Sequence, residues 1–328
     1  MENINWKRLI RAIKNEGAIL FIGPNLEKNA NGVPVYHELC RKLVKDYENE
    51  VSFDEKEHFF FFTEPNAKND VIYDIKEYYE KNDFGHDIYS KIAAIPLHLI
   101  VSLSPDDALH NVFDEYNVKH NFAFYDSYKN EVEKPSIDNP LIYNLFGLAT
   151  KGKYILTQED YFNYLKSAIG DSVLPQKINI ALKAASHFIF IGFDFDKWYI
   201  RLLLMILNFH VDKESKTHHA IKTDNVKFIF EDLIKKQFNI TFVENDNDLK
   251  FITDFYDKIK AEDETLLRKL KSKLEITKSK IEEKLNLIAE YETKNELTDE
   301  PREKLRNEKA IEELNNEITE LKNTLKTF

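Results

Sequence analysis

The sequence predicts an α/β protein on a doubly wound parallel sheet, Rossmann-like in outline, with a helical insertion and a C-terminal α-helical hairpin. Three observations lead there. Short, unbroken apolar runs recur over the first 245 residues and stop at Gly, Ser or other turn residues, the mark of strands covered on both faces. Segments with apolar residues at helical spacing lie between them. From Asp263 onward Gly is absent, Pro occurs once, and Leu and Ile follow an a/d register. The chain therefore divides into a sheet domain, residues 1–262, with its insertion at about 50–93, and a coiled-coil-like interaction segment, residues 263–328.

The elements follow in order. Trp6, Leu9, Ile10 and Ile13 mark a helix, and Ala18 to Ile22 a buried strand that stops at Gly23. A loop containing Asn29 to Pro34 leads into an amphipathic helix with Tyr36, Leu39, Cys40, Leu43 and Val44 on its apolar face. Residues 50–93 read as helical, with the run Phe59 to Phe62 as core or interface. Strands are expected at Leu97 to Leu103, Leu141 to Leu145, Tyr154 to Thr157, His187 to Ile191, His218 to Ile221 and Ile240 to Val243. Helices are expected after Thr157, a good N-cap, at Trp198 to Asn208 and at Val226 to Phe238. In the tail, Leu267, Leu270, Leu274, Ile281, Leu285 and Ile288 form one seam, and Ile311, Leu314, Ile318, Leu321 and Leu325 another. These predict helices over about 264–292 and 302–326. The second is capped by Thr298 or Asp299. A two-helix unit buries only one seam, so the segment calls for a further surface: the sheet domain, a second copy or a partner protein.

Composition excludes several classes. The 328 residues carry 57 Asp and Glu against 46 Lys and Arg, a net charge of −11, which disfavours a general nucleic-acid coat. The 24 Phe and 16 Tyr supply a core that a disordered chain lacks. The single cysteine, Cys40, excludes a disulfide framework and a cysteine zinc site within one chain; it reads as a small core residue. Residues 1–14 have no signal-peptide pattern, and no apolar stretch is long enough to span a membrane, so the cytoplasm is the expected compartment. His218 and His219 face opposite ways on a strand, and no metal site is expected.

In an open parallel sheet, ligands lie at the carboxyl ends of the strands. Four ends carry polar or glycine residues: Gly23, Pro24, Asn25 and Leu26; Ser102, Ser104, Asp106 and Asp107; Asn144, Phe146 and Gly147; Gly192, Phe193, Asp194 and Asp196. Gly23 would let a phosphate approach the backbone, although the G-x-G-x-x-G fingerprint is absent. Gly23, Asn25, Ser104, Asp106, Phe146, Gly192 and Asp194 are expected to line one cavity.

In their order, these ends resemble the sirtuin-like (Sir2-like) domain family, in its divergent bacterial anti-phage defence branch. Phe21 to Leu26, with Gly32-Val33-Pro34 and Leu39, stand where that family has its glycine loop and its small-residue-Pro motif. Ile100 to Asp107 resembles the strand carrying Thr-Thr-Asn, Tyr143 to Gly147 the strand ending in His-Gly, and Phe190 to Asp196 the late Gly-Tyr-Ser-x-x-Asp turn. The likeness covers roughly residues 5 to 245. It implies NAD as ligand or substrate, with a cofactor site of Gly23, Pro24, Asn25, Leu26, Pro34, Ser102, Ser104, Asp106, Asn144, Phe146, Gly147, Gly192, Phe193 and Asp194. It also implies NAD hydrolysis, but the family's catalytic Asn falls on Ser104 and its catalytic His on Phe146. Phe146 accepts no proton. Replacement bases are Asp106, Asp107 and His110, beside the Ser104 hydroxyl; His98 lies within its strand as a core residue.

Three functions follow from these expectations. The first is a defence-associated module of abortive-infection type, binding NAD or a related nucleotide in a degenerate site and acting as sensor or assembly element. The second is an active NAD-depleting hydrolase with relocated residues after oligomerisation. The third is a structural interaction protein whose cleft is filled by its own side chains.

Overall fold

A computed structural model describes residues 4–29, 32–81, 86–126, 131–170, 174–211, 215–223 and 229–325. The chain opens with α1 (Trp6–Lys14), capped by the Asn5 side chain, which accepts from Arg8 N at 3.1 Å. Next come β1 (Ala18–Ile22), buried throughout, and α2 (Val35–Asp46). A hairpin of β2 (Val51–Asp54) and β3 (Phe59–Phe62) is followed by α3 (Pro65–Lys81) and α4 (His86–Ala94). The order continues with β4 (Leu99–Ser102), α5 (Ala108–Glu115), β5 (Asn121–Phe124), β6 (Leu141–Asn144), β7 (Gly147–Leu148) and β8 (Lys153–Tyr154). Then come α6 (Gln158–Gly170), α7 (Gln176–Ala184), β9 (His187–Ile191), α8 (Trp198–Ile206), β10 (Thr217–Thr223), α9 (Glu231–Phe238), β11 (Ile240–Asn245) and α10 (Asp248–Asp263). Two long helices close the chain, α11 (Lys273–Leu297) and α12 (Pro301–Leu325).

Seven strands form one sheet in the order β11-β10-β9-β1-β4-β6-β5, and every pairing in it is parallel. The predicted doubly wound fold is therefore the observed one. β1 is central: Leu20 pairs with Ile100 on one side and with Ile189 on the other. The chain first builds outward from β1 through β4, then returns to its other edge through β9. That reversal opens a crevice at the carboxyl ends of β1, β4 and β9. One face of the sheet, with Phe21, Val101, Tyr143, Phe188 and Phe190, packs on Tyr161 and Tyr164 of α6, Ile178 of α7, Leu203 of α8 and Phe238 of α9. α1, α4 and α10 form a further helical layer: α10 packs on α4 and α1 and on β10 and β11. Trp6 meets Phe255 at 5.7 Å there.

The chain divides into two compact units, Met1–Asp114 with Lys119–Arg268, and Glu115–Val118 with Lys269–Phe328. At the end of the first, the half-buried Arg268 guanidinium donates to the carbonyls of Ala93 (3.1 Å), Ile95 (2.6 Å), Leu97 (2.9 Å) and Ile137 (3.1 Å). Burial pulls it down to about 10, so it stays charged at neutral pH. In the second unit, Ile281, Ile288 and Ile318 are buried, with Ile311, Leu314 and Leu321 packed on them. Asn307 bonds to Asn295 at 2.8 Å near the turn, and Lys284 pairs with Glu317.

Several expectations are corrected. Phe59 to Phe62 is a strand, not part of a helix. Phe60 is fully buried and Phe61 is 50% exposed, the alternation of a pleat, and Phe is a good strand former. The two side chains before Phe61 serve different cores. Phe59 enters the main core, and Phe60 joins Leu39, Cys40 and Leu43 of α2 and Val71 and Ile75 of α3 in a satellite core. Cys40 is buried there, and burial pushes its thiol up. Tyr154 to Thr157 adds no strand to the main sheet; only Lys153–Tyr154 pairs, antiparallel to β7. In the tail, α11 starts at Lys273, so Leu267 and Leu270 precede it, and Leu285 is 48% exposed. The edge strand β5 and helices α5, α7 and α10 are additions to the predicted elements. The expected helix start Val226 to Phe228, part of the Asn29 to Pro34 loop (Ala30, Asn31), Lys326, and the side chains of Leu274 and Leu325 lie outside the described residues. Among the described residues, no helix is long and apolar enough to cross a membrane.

Four buried imidazoles set an acid limit. Burial lowers His58 from 6.5 to about 3, and His98, His218 and His219 to about 4. Between those values and 6.5 the unfolded chain binds more protons than the folded one, so stability is full above 6.5 and is lost as pH falls. At about pH 5 each imidazole costs on the order of 1–2 kcal/mol. The urea midpoint should fall clearly between about pH 7.5 and about pH 5; a constant midpoint would show that these rings titrate normally.

Candidate functional site

The crevice is organised by two loops that touch through their backbones. Gly23 N donates to Ile191 O at 2.8 Å, Asn25 N to Gly192 O at 3.1 Å and Leu26 N to Gly23 O at 3.3 Å. Pro24 has no N–H. A Cβ on Gly23 would stand 2.2 Å from Gly192 O, and one on Gly192, at φ +67°, 2.6 Å from Leu26 N. Both glycines are therefore required by loop-on-loop packing. Asp248, at the start of α10, is buried against this junction. It hydrogen-bonds the Gly192 backbone and faces Lys28 at 3.6 Å, and burial raises its carboxyl. Pro34 occupies the N-cap position of α2.

The second strand end is closed on itself. Ser104 N donates to Ser102 Oγ at 3.1 Å, and the Ser104 hydroxyl donates to the Asp106 carboxylate. Asp106 accepts from Ala108 N at 3.0 Å, capping α5, while its carbonyl accepts from Asn144 Nδ2 at 2.6 Å. Asp106 is fully buried, which raises its carboxyl against the pull of the Ser104 and Ala108 bonds. Asp107 accepts from Thr150 at 3.2 Å. These groups form one network joining β4, α5 and β6. His110 is not in it: its ring stacks on Phe122 at 4.4 Å, on the edge strand.

The third end places Phe146 edge-on to Tyr161 at 5.8 Å and to Tyr164 at 5.7 Å. Gly147, at φ +98°, would put a Cβ 2.0 Å from Lys153 O, so its role is the close pairing of β7 with β8. The fourth end buries Phe193 against Phe190 at 5.3 Å. Asp194 accepts from Asp196 N at 3.0 Å and faces Lys197 Nζ at 3.6 Å. Asp196 holds the backbone N–H groups of Ile229 (2.9 Å) and Phe230 (3.1 Å).

Between these ends lies a cavity of about 50 Å³. Of the predicted residues, Pro24 and Phe146 line it. Gly23, Asn25, Ser104, Asp106, Gly192 and Asp194 were expected there too, but are not among its lining residues. The rest of the wall includes Tyr36, His58, Phe59, Tyr154, Tyr161 and Tyr199, which the sequence did not single out. The β2–β3 turn forms one side. Lys197, buried, donates its Nζ to Lys56 O in that turn. His58 meets His37 edge-on at 4.1 Å. The Tyr154 hydroxyl, His37 Nε2 and Asn25 Oδ1 are buried without a hydrogen-bond partner.

Fold and site together define a doubly wound α/β protein with an aromatic-filled crevice at its switch point. Residues 98–243, from just before β4 into β11, match the family model of the SIR2-like domain. No curated protein matches the chain. The matched stretch holds the ends of β4, β6 and β9; the Gly23 loop and the β2–β3 hairpin precede it.

A nucleotide pocket is typically 300–1,000 Å³, and the cavity is about 50 Å³. The N–H groups of Gly23, Asn25 and Leu26, which would receive a pyrophosphate, all donate within the protein. In this conformation that cavity does not hold a dinucleotide.

The junction itself is testable. Gly23→Ala should destabilise the chain by at least about 2 kcal/mol in urea unfolding, because backbone must shift. A loss below about 0.5 kcal/mol would mean that the two loops part easily.

Proposed function

We propose that the chain is a catalytically degenerate SIR2-like module of a bacterial antiviral defence system, cytoplasmic, acting as sensor or assembly element rather than as an NAD-consuming enzyme. The observation that carries this reading is the packing of Phe146 against Tyr161 and Tyr164, where the family resemblance calls for a proton acceptor. Ser104, at the position of the family's Asn, donates its hydroxyl hydrogen bond to Asp106. NAD or a related nucleotide remains the ligand class of the SIR2-like match, and it would enter only with the β2–β3 hairpin lifted away from Lys197.

One observation favours the hydrolase reading: His58 puts an imidazole in the cavity wall. Held at about 3 by burial, with His37 and Lys197 adding to the shift, it is neutral at pH 7 but a weak base. General acid–base catalysis contributes typically about 10²–10⁴-fold when the pKa lies near the working pH.

Purified chain should turn over NAD no faster than a buffer control. Lys197→Ala, which frees the hairpin turn, should let NAD or ADP-ribose raise the melting temperature more than it does for the parent, since ligand at ~100 times Kd adds roughly 2.7 kcal/mol. Rapid turnover abolished by His58→Ala would replace this reading with the hydrolase. No nucleotide effect on either chain would favour a purely structural protein.

The second unit supports the assembly part of the proposal. Leu285 (48%), Leu287 (43%), Leu297 (82%) and Leu305 (56%) are exposed, and a single helical pair is marginal alone. A chain ending at Lys271, which keeps the Arg268 anchor, should stay folded and show fewer chains per particle in light scattering. An unchanged number of chains per particle would remove the hairpin as a self-association element.

A further inference from the structure

We propose that His110, Asp114 and His120 form a binding site for one divalent transition-metal ion of the Zn²⁺ class, which clamps α5 to the start of β5. The site lies apart from the crevice and does not depend on its function. His110 and Asp114 are four residues apart on α5, hence on one face, with His110 Nε2 3.7 Å from Asp114 Oδ2. His120 immediately precedes β5, and its Nε2 lies 2.7 Å from His110 Nδ1. One donor atom from each of the three residues lies within 4.8 Å of the other two.

The surroundings hold both rings and leave the carboxylate adjustable. Phe122 stacks on His110 at 4.4 Å and 8°, and Phe113 stands edge-on to His120 at 5.1 Å. The Asp114 side chain is 55% exposed and that of His110 28%, so an ion arrives from solvent and Asp114 can swing to meet it. Two imidazoles and one carboxylate suit Zn²⁺, Co²⁺ or Ni²⁺; Mg²⁺ and Ca²⁺ require oxygen donors. With metal–nitrogen bonds of about 2.0–2.1 Å, tetrahedral geometry sets the two nitrogens about 3.3 Å apart, so the rings separate by roughly 0.6 Å. The ion thereby replaces the imidazole–imidazole hydrogen bond, and water completes the coordination. Ligation needs neutral imidazole.

The test uses the full chain, without a histidine tag and stripped with EDTA. Titration with CoCl₂ should give saturable visible ligand-field absorption at one ion per chain, and ZnCl₂ should displace it. His110→Gln and His120→Gln should each weaken Zn²⁺ binding at least about 10-fold in calorimetry. Asp114→Asn should weaken it less. His210→Gln, a change at an exposed imidazole, should leave it unchanged. Metal-free melting curves that match the parent's will show that each variant is folded. Binding weaker than about 1 mM, or saturable binding that survives the His110→Gln, His120→Gln double change, overturns the proposal and leaves the pair as a helix-to-strand hydrogen bond.

Discussion

The contact between the Gly23 and Gly192 backbones governs the rest of the structure. β1 and β9 are neighbouring central strands, and at their carboxyl ends the two loops come closer than any side chain permits. This closeness lets Gly23, Asn25 and Leu26 satisfy their N–H groups within the protein. Buried N–H groups must find partners; in a dinucleotide-binding loop of this topology, pyrophosphate supplies some of them. Here the protein supplies them. The same local geometry that looks like a cofactor loop in sequence thus serves as a structural joint.

The crevice beside this joint is lined by aromatic side chains. Phe146, Tyr161 and Tyr199 interlock across it, and the β2–β3 hairpin adds His58 and Phe59. Phe59 belongs to the main core and Phe60 to the satellite core, so the inserted lobe is fastened on two sides. Lys197 adds a polar tie to the turn. Ser104, Asp106 and Asn144 then act as a buried polar brace between strands, with both Asp106 carboxylate oxygens, its carbonyl and the Asn144 amide nitrogen engaged. A satisfied network of this kind rigidifies.

The sheet was legible because parallel strands covered on both faces are apolar at nearly every position, as Ala18 to Ile22 and His187 to Ile191 are. The β2–β3 hairpin was not legible, because four consecutive Phe have no alternation to read; only pairing shows that Phe60 is buried while Phe61 faces solvent. β5 was missed because an edge strand such as Asn121–Phe124 is only partly buried. Of the site, the strand ends were readable from Gly, Ser and Asp at their stops. Their partners were not. Tyr36, His58, Tyr161 and Tyr199 come from four separate elements, and nothing local in the sequence sets them apart from ordinary core aromatics. His120 likewise meets His110 only because α5 and β5 return to the same edge.

The central claim is that the loop amides after β1 are committed to the loop after β9 and do not receive a pyrophosphate. A crystal structure of the chain grown with excess NAD tests it most directly. The account predicts that Gly23 N still donates to Ile191 O and Asn25 N to Gly192 O, with Phe146 still seated against Tyr161, whether or not nucleotide is found elsewhere in the crystal. A pyrophosphate lying on the amides of Gly23 to Leu26, with the two glycine loops parted, would contradict it.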